Sequence, residues 1–278
     1  MACNLPLIIL FLLFICCLYL STMEVKRFKI LLTCFFLFNL FNSSAQYSST
    51  PHFDPSKPTN VYDRLSNNLE YNFLRNGSRT YGYRANLVLV SHNQRNSVHI
   101  EIPLLYSTFS QKFGLSDIRF RYYWIPYKDY SKKPGAFGLL LDSYMPTGSL
   151  KNGLGRGRWI FAPGLSTAFV FGRFSTFPII SYIHSSEIKG SETSSQGAEA
   201  LNGYMLQSIC VYKFRKSYLD CTPIFIKNSY SNGGKDDFVV EGNYLYMIKP
   251  NKMQVGCFAR RYFHGNSTTL RAALRIYF

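Results

Sequence analysis

Arginine recurs in this chain at the spacing of an extended strand. Arg119-Phe-Arg121 and Arg271-Ala-Ala-Leu-Arg275 put their guanidinium groups on one face of a two-residue repeat, with Phe120, Ala272 and Leu274 on the other. Arg64, Arg84 and Arg260 are further candidates for such a polar face, set against Glu70, Glu101, Asp142 and Glu241. Two chemistries follow. Rings of arginine around a wet lumen favour anions. The same residues, fully ion-paired, would instead fill a narrow interior with a polar plug that only stabilises it. The spacing leaves both open.

His184-Ser-Ser186 offers a different chemistry. Histidine and serine two apart on a strand share a face and could form a nucleophile–base pair, with Glu187, Glu192 and Glu199 near enough to orient the imidazole. Outer-membrane lipid A deacylases use a similar His-x-Ser arrangement, but the surrounding residues do not continue that pattern, and a strand end running into a serine-rich loop accounts for the triplet. Gly153, Gly155 and Gly157 could cradle a phosphate, yet the strand–loop–helix setting and the Lys-Ser/Thr of a P-loop are missing. A loop folded inward as a constriction suits them better. Of the seven cysteines, only Cys210, Cys221 and Cys257 lie beyond residue 45. They show no CxxC or Cys/His metal spacing, and no cofactor is expected. Cys210 and Cys221 flank Arg215–Lys216, and a two-residue turn there would set them directly opposite each other. They are either a cross-strand disulfide in an exported protein or two small buried side chains.

The elements that must position these residues are strands. The chain ends Leu270-Arg-Ala-Ala-Leu-Arg-Ile-Tyr-Phe278, with Leu270, Ala272, Leu274, Ile276 and Phe278 on one face. An alternating strand that stops on an aromatic terminus resembles the closing strand of a bacterial outer-membrane barrel, apolar toward lipid and arginine toward the lumen. Aromatic residues make up 17% of the chain and charged residues only 17%, which excludes disorder and fits a barrel with aromatic girdles.

The first 45 residues read as export machinery. Met23–Lys29 is basic, 30–41 is apolar and 42–46 is small and polar, so 23–45 has the plan of a secretory signal peptide cut after Ala45. Leu5–Leu20 is apolar but shorter than the ~20 residues of a comfortable span. Residues 1–22 are therefore read as an upstream extension from a mis-called start, with an extra transmembrane segment as the competing reading. Removing Lys26, Arg27, Lys29 and Glu24 takes the net charge from +16 to +14. No later apolar run is long enough for a helical span, so a membrane protein of this sequence must be a closed barrel.

Residues 46–60 read as a periplasmic tail too short to plug a barrel. Residues 61–278 divide into twelve strand-type segments near 61–74, 80–90, 97–107, 115–129, 135–146, 158–171, 174–184, 203–214, 217–227, 237–248, 252–263 and 268–278. Their connections alternate long and short, as an even-stranded barrel with both termini on the periplasmic side requires. The seventh and eighth segments alternate poorly. Pro103, Pro163, Pro178 and Pro223 fall inside segments, where each removes a ladder hydrogen bond and predicts a bulge or a displaced boundary. The fold expected is all-β: a closed antiparallel transmembrane barrel of about twelve strands.

One stretch resembles a known family. Gly114-Leu-Ser-Asp117, Pro146-Thr147-Gly148 and Leu154-Gly-Arg-Gly-Arg-Trp159 are similar to the strand opening, strand end and loop exit of the barrels named for the "MetA pathway of phenol degradation", with Ser116 where the family usually has glycine. The resemblance covers about residues 110–170 and implies an outer-membrane channel or transporter, often for hydrophobic or aromatic compounds, with no catalytic residues to carry over. The partners expected are outer-membrane lipids and lipopolysaccharide, the barrel assembly machinery and a small permeant, not nucleic acid. Arg75, Arg79, Lys112, Lys151, Arg156 and Arg158 fall in the long loops, where they meet lipopolysaccharide phosphates or are simply solvated. The alternatives to a channel are a hydrolase using His184 and Ser186, and a sealed structural or adhesive barrel.

Overall fold

The computed structural model describes residues 53–91, 94–188, 199–229 and 234–278. The expected extension, leader and first part of the tail lie outside the described residues, as does Glu192. Thirteen strand segments form one antiparallel sheet. They are β1 (Arg64–Phe73), β2 (Arg79–Val90), β3 (Asn96–Ser107), β4 (Lys112–Leu115), β5 (Ile118–Lys128), β6 (Ala136–Met145), β7 (Ile160–Phe171), β8 (Phe174–Ser185), β9 (Leu201–Lys213), β10 (Ser217–Ser229), β11 (Lys235–Lys249), β12 (Met253–Tyr262) and β13 (Ser267–Tyr277). β4 and β5 both pair with β3 and make a single barrel strand broken at Ser116-Asp117. Twelve barrel strands result. β1 pairs with β13 from Arg64↔Tyr277 to Phe73↔Thr268, which closes the sheet and brings the start of β1 and the end of β13 to the same rim. The short connections share that rim, and the long ones lie at the other.

The prolines coincide with gaps in the ladder. The β7–β8 pairing skips from Phe161↔His184 to Gly164↔Ser181 around Pro163, and from Ser166↔Ile179 to Phe169↔Thr176 around Pro178. The β9–β10 pairing skips from Cys221↔Cys210 to Ile224↔Gln207 around Pro223. The register is unchanged across each gap, so these three prolines make no bulge. Each leaves one side of its strand unbonded while the other side stays paired. Pro103 differs. It stands opposite the break between β4 and β5, where its carbonyl accepts from the Ser116 amide (2.9 Å).

The outer surface carries large exposed apolar side chains, among them Leu104, Trp124, Phe161, Ile180, Leu206 and Leu270. Such a continuous apolar band suits hydrocarbon rather than water. Inside lie two apolar clusters. Toward the terminus-bearing rim, Phe177 is 2% exposed among Ile125, Ala136, Ala168, Val211 and Leu245. Nearer the loop rim, Ile160 and Val239 meet Ile183, Ile224 and Ile226. Truncating Phe177 to alanine should cost about 3 kcal/mol. A urea titration scored by gel migration of the folded and unfolded forms would register it as an earlier midpoint.

Candidate functional site

The inward-facing charges assemble into a belt, because the register sets them on neighbouring strands at one level. Glu70 on β1 accepts from Arg84 Nε (2.6 Å) and Nη2 (2.9 Å) on β2, and from Arg271 Nε (2.7 Å) on β13. Arg84 Nη1 also reaches Glu101 on β3 (3.2 Å), which binds Arg121 Nη2 on β5 (2.7 Å). Asp142 on β6 completes the run by pairing with Arg119, whose Nε donates to Oδ1 at 2.8 Å. Arg260 on β12 pairs with Glu241 on β11 (2.5 Å). Phe258 lies beneath Arg271 (4.6 Å) and Arg260 (5.3 Å), and Tyr144 beneath Arg119 (4.8 Å), so aromatic faces support the guanidinium planes. The carboxylates are nearly dry, Glu70 at 2% and Glu101 at 5% side-chain exposure, whereas Arg121 keeps 22%.

The belt spans eight barrel strands, from β11 through the closure to β6. The other four carry no belt charge and, with parts of β5, β6 and β11, present the apolar clusters. The lining is a charged crescent facing a largely aliphatic wall. The poor alternation of β8 and β9 is the signal of that wall. Phe177, Ile179, Ile183 and Val211 point inward while Ile180, Tyr182 and Leu206 point outward, so both faces are apolar.

Arg64 and Arg275 sit apart from the belt, toward the terminus-bearing rim. Arg275 Nη1 donates to the Tyr218 hydroxyl (3.1 Å), and both guanidinium groups lie beside Tyr277. The Tyr277 hydroxyl donates to Gln254 Oε1 (2.7 Å).

At the loop rim the three family-like motifs converge on one carboxylate. Asp117, 5% exposed, accepts from the backbone amides of Gly148 (3.1 Å) and Arg156 (2.7 Å). Thr147 Oγ1 accepts from the Ile118 amide and donates to the Ser116 carbonyl, both at 2.9 Å, which bridges the strand break. Burial pushes the Asp117 carboxyl up, against the opposing pull of Arg156 and the two amide bonds. Gly155 is required here, since a Cβ would stand 2.4 Å from the Gly148 carbonyl oxygen. Gly153 and Gly157 hold positive φ, 66° and 68°. Leu154 is buried against Gly114. The loop reaches inward at one point, where Arg156 lies over the Tyr144 ring at 4.5 Å. Arg158 is buried with its Nη1 on Ser185 Oγ (3.1 Å). Arg158 is therefore packed and Arg156 half-buried. Pro146 precedes the clamp, and Trp159 beyond it stacks on Phe161 at the outer surface (5.8 Å).

At the opposite rim the described part of the tail does not hang free. Phe53 packs on Tyr62 (4.5 Å) and Tyr277 (4.9 Å) beside β1 and β13. Asp54 pairs with Lys213 at the end of β9 (2.8 Å), Thr59 hydrogen-bonds Tyr130 in the β5–β6 connection, and Lys57 lies over the Tyr130 ring (4.4 Å). These anchor points lie on well-separated strands around the rim, so residues 53–62 form a strap across the mouth. Burial raises the Asp54 carboxyl, but the Lys213 and Ser56 hydrogen bonds and the two lysine charges outweigh it, so its pKa is lowered. Burial pushes the Tyr62 and Tyr130 hydroxyls up to about 12.

His184 and Ser186 are not brought together. His184 Nδ1 is paired with Asn202 Oδ1 (2.8 Å), while Ser186 Oγ accepts from the Trp159 amide (3.0 Å) and donates to the Glu187 carbonyl (3.1 Å). Cys210 and Cys221 do face each other across the hairpin, but as free thiols on the outer face, with Cys221 exposed, so they are neither a disulfide nor a buried pair. Among the described residues no group of three or more His, Cys, Asp or Glu is placed to hold a metal ion.

Replacing Glu101 by glutamine strips Arg84 and Arg121 of a shared partner. It should cost about 3 kcal/mol in the same urea titration. Asp117→Ala releases two amides and should loosen the clamp by about 2 kcal/mol. Trypsin added to the folded protein would then cut faster after Lys151, and an unchanged cleavage rate would show that the carboxylate does not hold the loop.

No protein-family model matches the sequence, and no curated protein does. Solved barrels are similar in fold. The KdgM porin in complex with disordered oligogalacturonate aligns with a TM-score of 0.54 at 10% identity over 77% of this chain and 99% of its own. The COG4313 outer membrane channel from Pseudomonas putida F1 aligns at 0.54 and 10% identity over 84% of this chain and 100% of its own. The NanC porin aligns at 0.54 and 8% identity over 77% of this chain and 100% of its own. At these identities the shared property is the twelve-stranded barrel.

Proposed function

We propose that the protein is a bacterial outer-membrane channel for passive passage of small molecules, with a preference for anions. The observation that carries this reading is the charge imbalance of the lumen, where seven arginines face five carboxylates, the four of the belt and Asp220, and the paired guanidinium groups stay partly exposed. An interior cation excess lowers the barrier for anions and raises it for cations. The apolar wall opposite the belt supports a permeant with a hydrophobic or aromatic body. The convergence of the three motifs on Asp117 supports grouping the chain with the phenol-degradation MetA barrels. The likeness to porins and channels supports the same class and an outer-membrane location. The rim with the short turns and the strap is then periplasmic, and the clamped loop faces outside. Lipid and lipopolysaccharide surround the barrel, and the assembly machinery inserts it from its aromatic C-terminal strand.

The strap favours a second reading, a sealed structural barrel. Planar-bilayer recording separates the two. In a KCl gradient the channel should conduct with a reversal potential displaced toward that of chloride. A barrel that carries no current, with the strap intact or loosened by Asp54→Asn, would instead be sealed.

A further inference from the structure

Five of the seven lumen arginines have carboxylate partners; Arg64 and Arg275 have none within 4.0 Å among the described residues. The two are diagonal neighbours across the closure, since Arg64 opposes Tyr277 and Ser66 opposes Arg275. Tyr218, Tyr277 and Gln254 surround them, with the Asp220 carboxylate near Arg275 and the His99 ring near Arg64. Arg64 Nε is buried and has no acceptor. The nearby carboxylate that could serve them, Asp220, is held by Asn243 Nδ2 (2.7 Å). The strap carries a carboxylate too, but Asp54 is committed to Lys213 (2.8 Å) and Lys57 (3.9 Å).

Two adjacent guanidinium groups without a carboxylate in ion-pair contact repel each other and have lost hydration. An oxyanion between them would relieve both costs. Guanidinium forks match carboxylate oxygens two to two. The Phe53, Tyr62 and Tyr277 rings stand over this place, so the strap roofs it.

We propose that Arg64 and Arg275 form a binding site for a small carboxylate at the terminus-bearing mouth, covered by the strap from Phe53 to Tyr62. The site rests on the channel reading for its role in transport, but its occupancy can be measured without it. The belt arginines are already committed, so anion recognition falls to this pair.

Calorimetric titration of the full-length folded protein with benzoate tests the site. Binding should be lost in Arg64→Gln/Arg275→Gln. It should weaken roughly tenfold in Arg64→Lys/Arg275→Lys, which keeps the charge and loses the forks. It should be unchanged in Lys112→Gln/Lys151→Gln, which removes the same two charges at the exposed loop rim. Heat-dependent gel migration of each variant confirms that it is folded. Equal affinity in the wild type and the double glutamine variant, or no binding to the wild type, would overturn the site. Bilayer recording of the same preparations reads the channel independently. Benzoate should reduce the chloride current in the wild type and less in the double glutamine variant, and Asp54→Asn should speed the onset several-fold. Current without any benzoate effect leaves the channel and removes the site. Calorimetric binding without current keeps the site and removes the channel.

Discussion

Three of the four belt carboxylates serve more than one arginine. Glu70 holds Arg84 and Arg271, Glu101 holds Arg84 and Arg121, and Asp142 holds Arg119 and, at 3.7 Å, Arg121, while Glu241 holds Arg260. In an interior of low dielectric an unpaired guanidinium or carboxylate costs several kcal/mol, so the members depend on one another. The belt also fixes register. A slip of one residue on β1 or β5 would turn Glu70 or Arg119 and Arg121 to the outer apolar face and bring Leu69 or Phe120 inside. Closure, strand parity and the outer hydrophobic band are thus tied to one set of ion pairs.

The strands of the belt were the legible ones, for the same reason. β1, β5, β11 and β13 separate charged and apolar residues cleanly, so a two-residue period assigns their faces. β8 and β9 hide theirs, because Phe177 and Val211 inside are as apolar as Ile180 and Leu206 outside. Chain order says nothing of which strands lie across the lumen from each other. The prolines were readable as ladder defects but not as in-register gaps, since a gap depends on what the neighbouring strand does opposite it.

The loop motifs illustrate the same limit at shorter range. Asp117, Gly148 and Arg156 are recognisable as turn chemistry one at a time. Their common purpose, two backbone amides on one buried carboxylate with Thr147 bridging the broken strand, appears only when β5 and β6 are paired. Glycine at 155 then follows from the approach of the Gly148 carbonyl, a reason stronger than flexibility. His184-Ser-Ser186 shows the converse. Spacing permits a dyad, but Asn202 and the Trp159 amide take the hydrogen bonds that a dyad would need.

The two rims are therefore braced by different means. At the loop rim the clamp is buried and braced on backbone, and Arg156 extends from it over Tyr144. At the other rim the strap is anchored by side chains alone: one exposed ion pair at Lys213, one hydroxyl contact at Tyr130 and a stack of three rings on Tyr277. Exposed pairs of this kind contribute little, about 0–1 kcal/mol. The strap is the weaker closure and the one that can move without disturbing the barrel ladder. It lies over the two arginines that the belt leaves unmatched. On the channel reading, a solute with a carboxylate and an apolar body meets both of its complements in this lumen, and its anionic end meets them first or last at the strap.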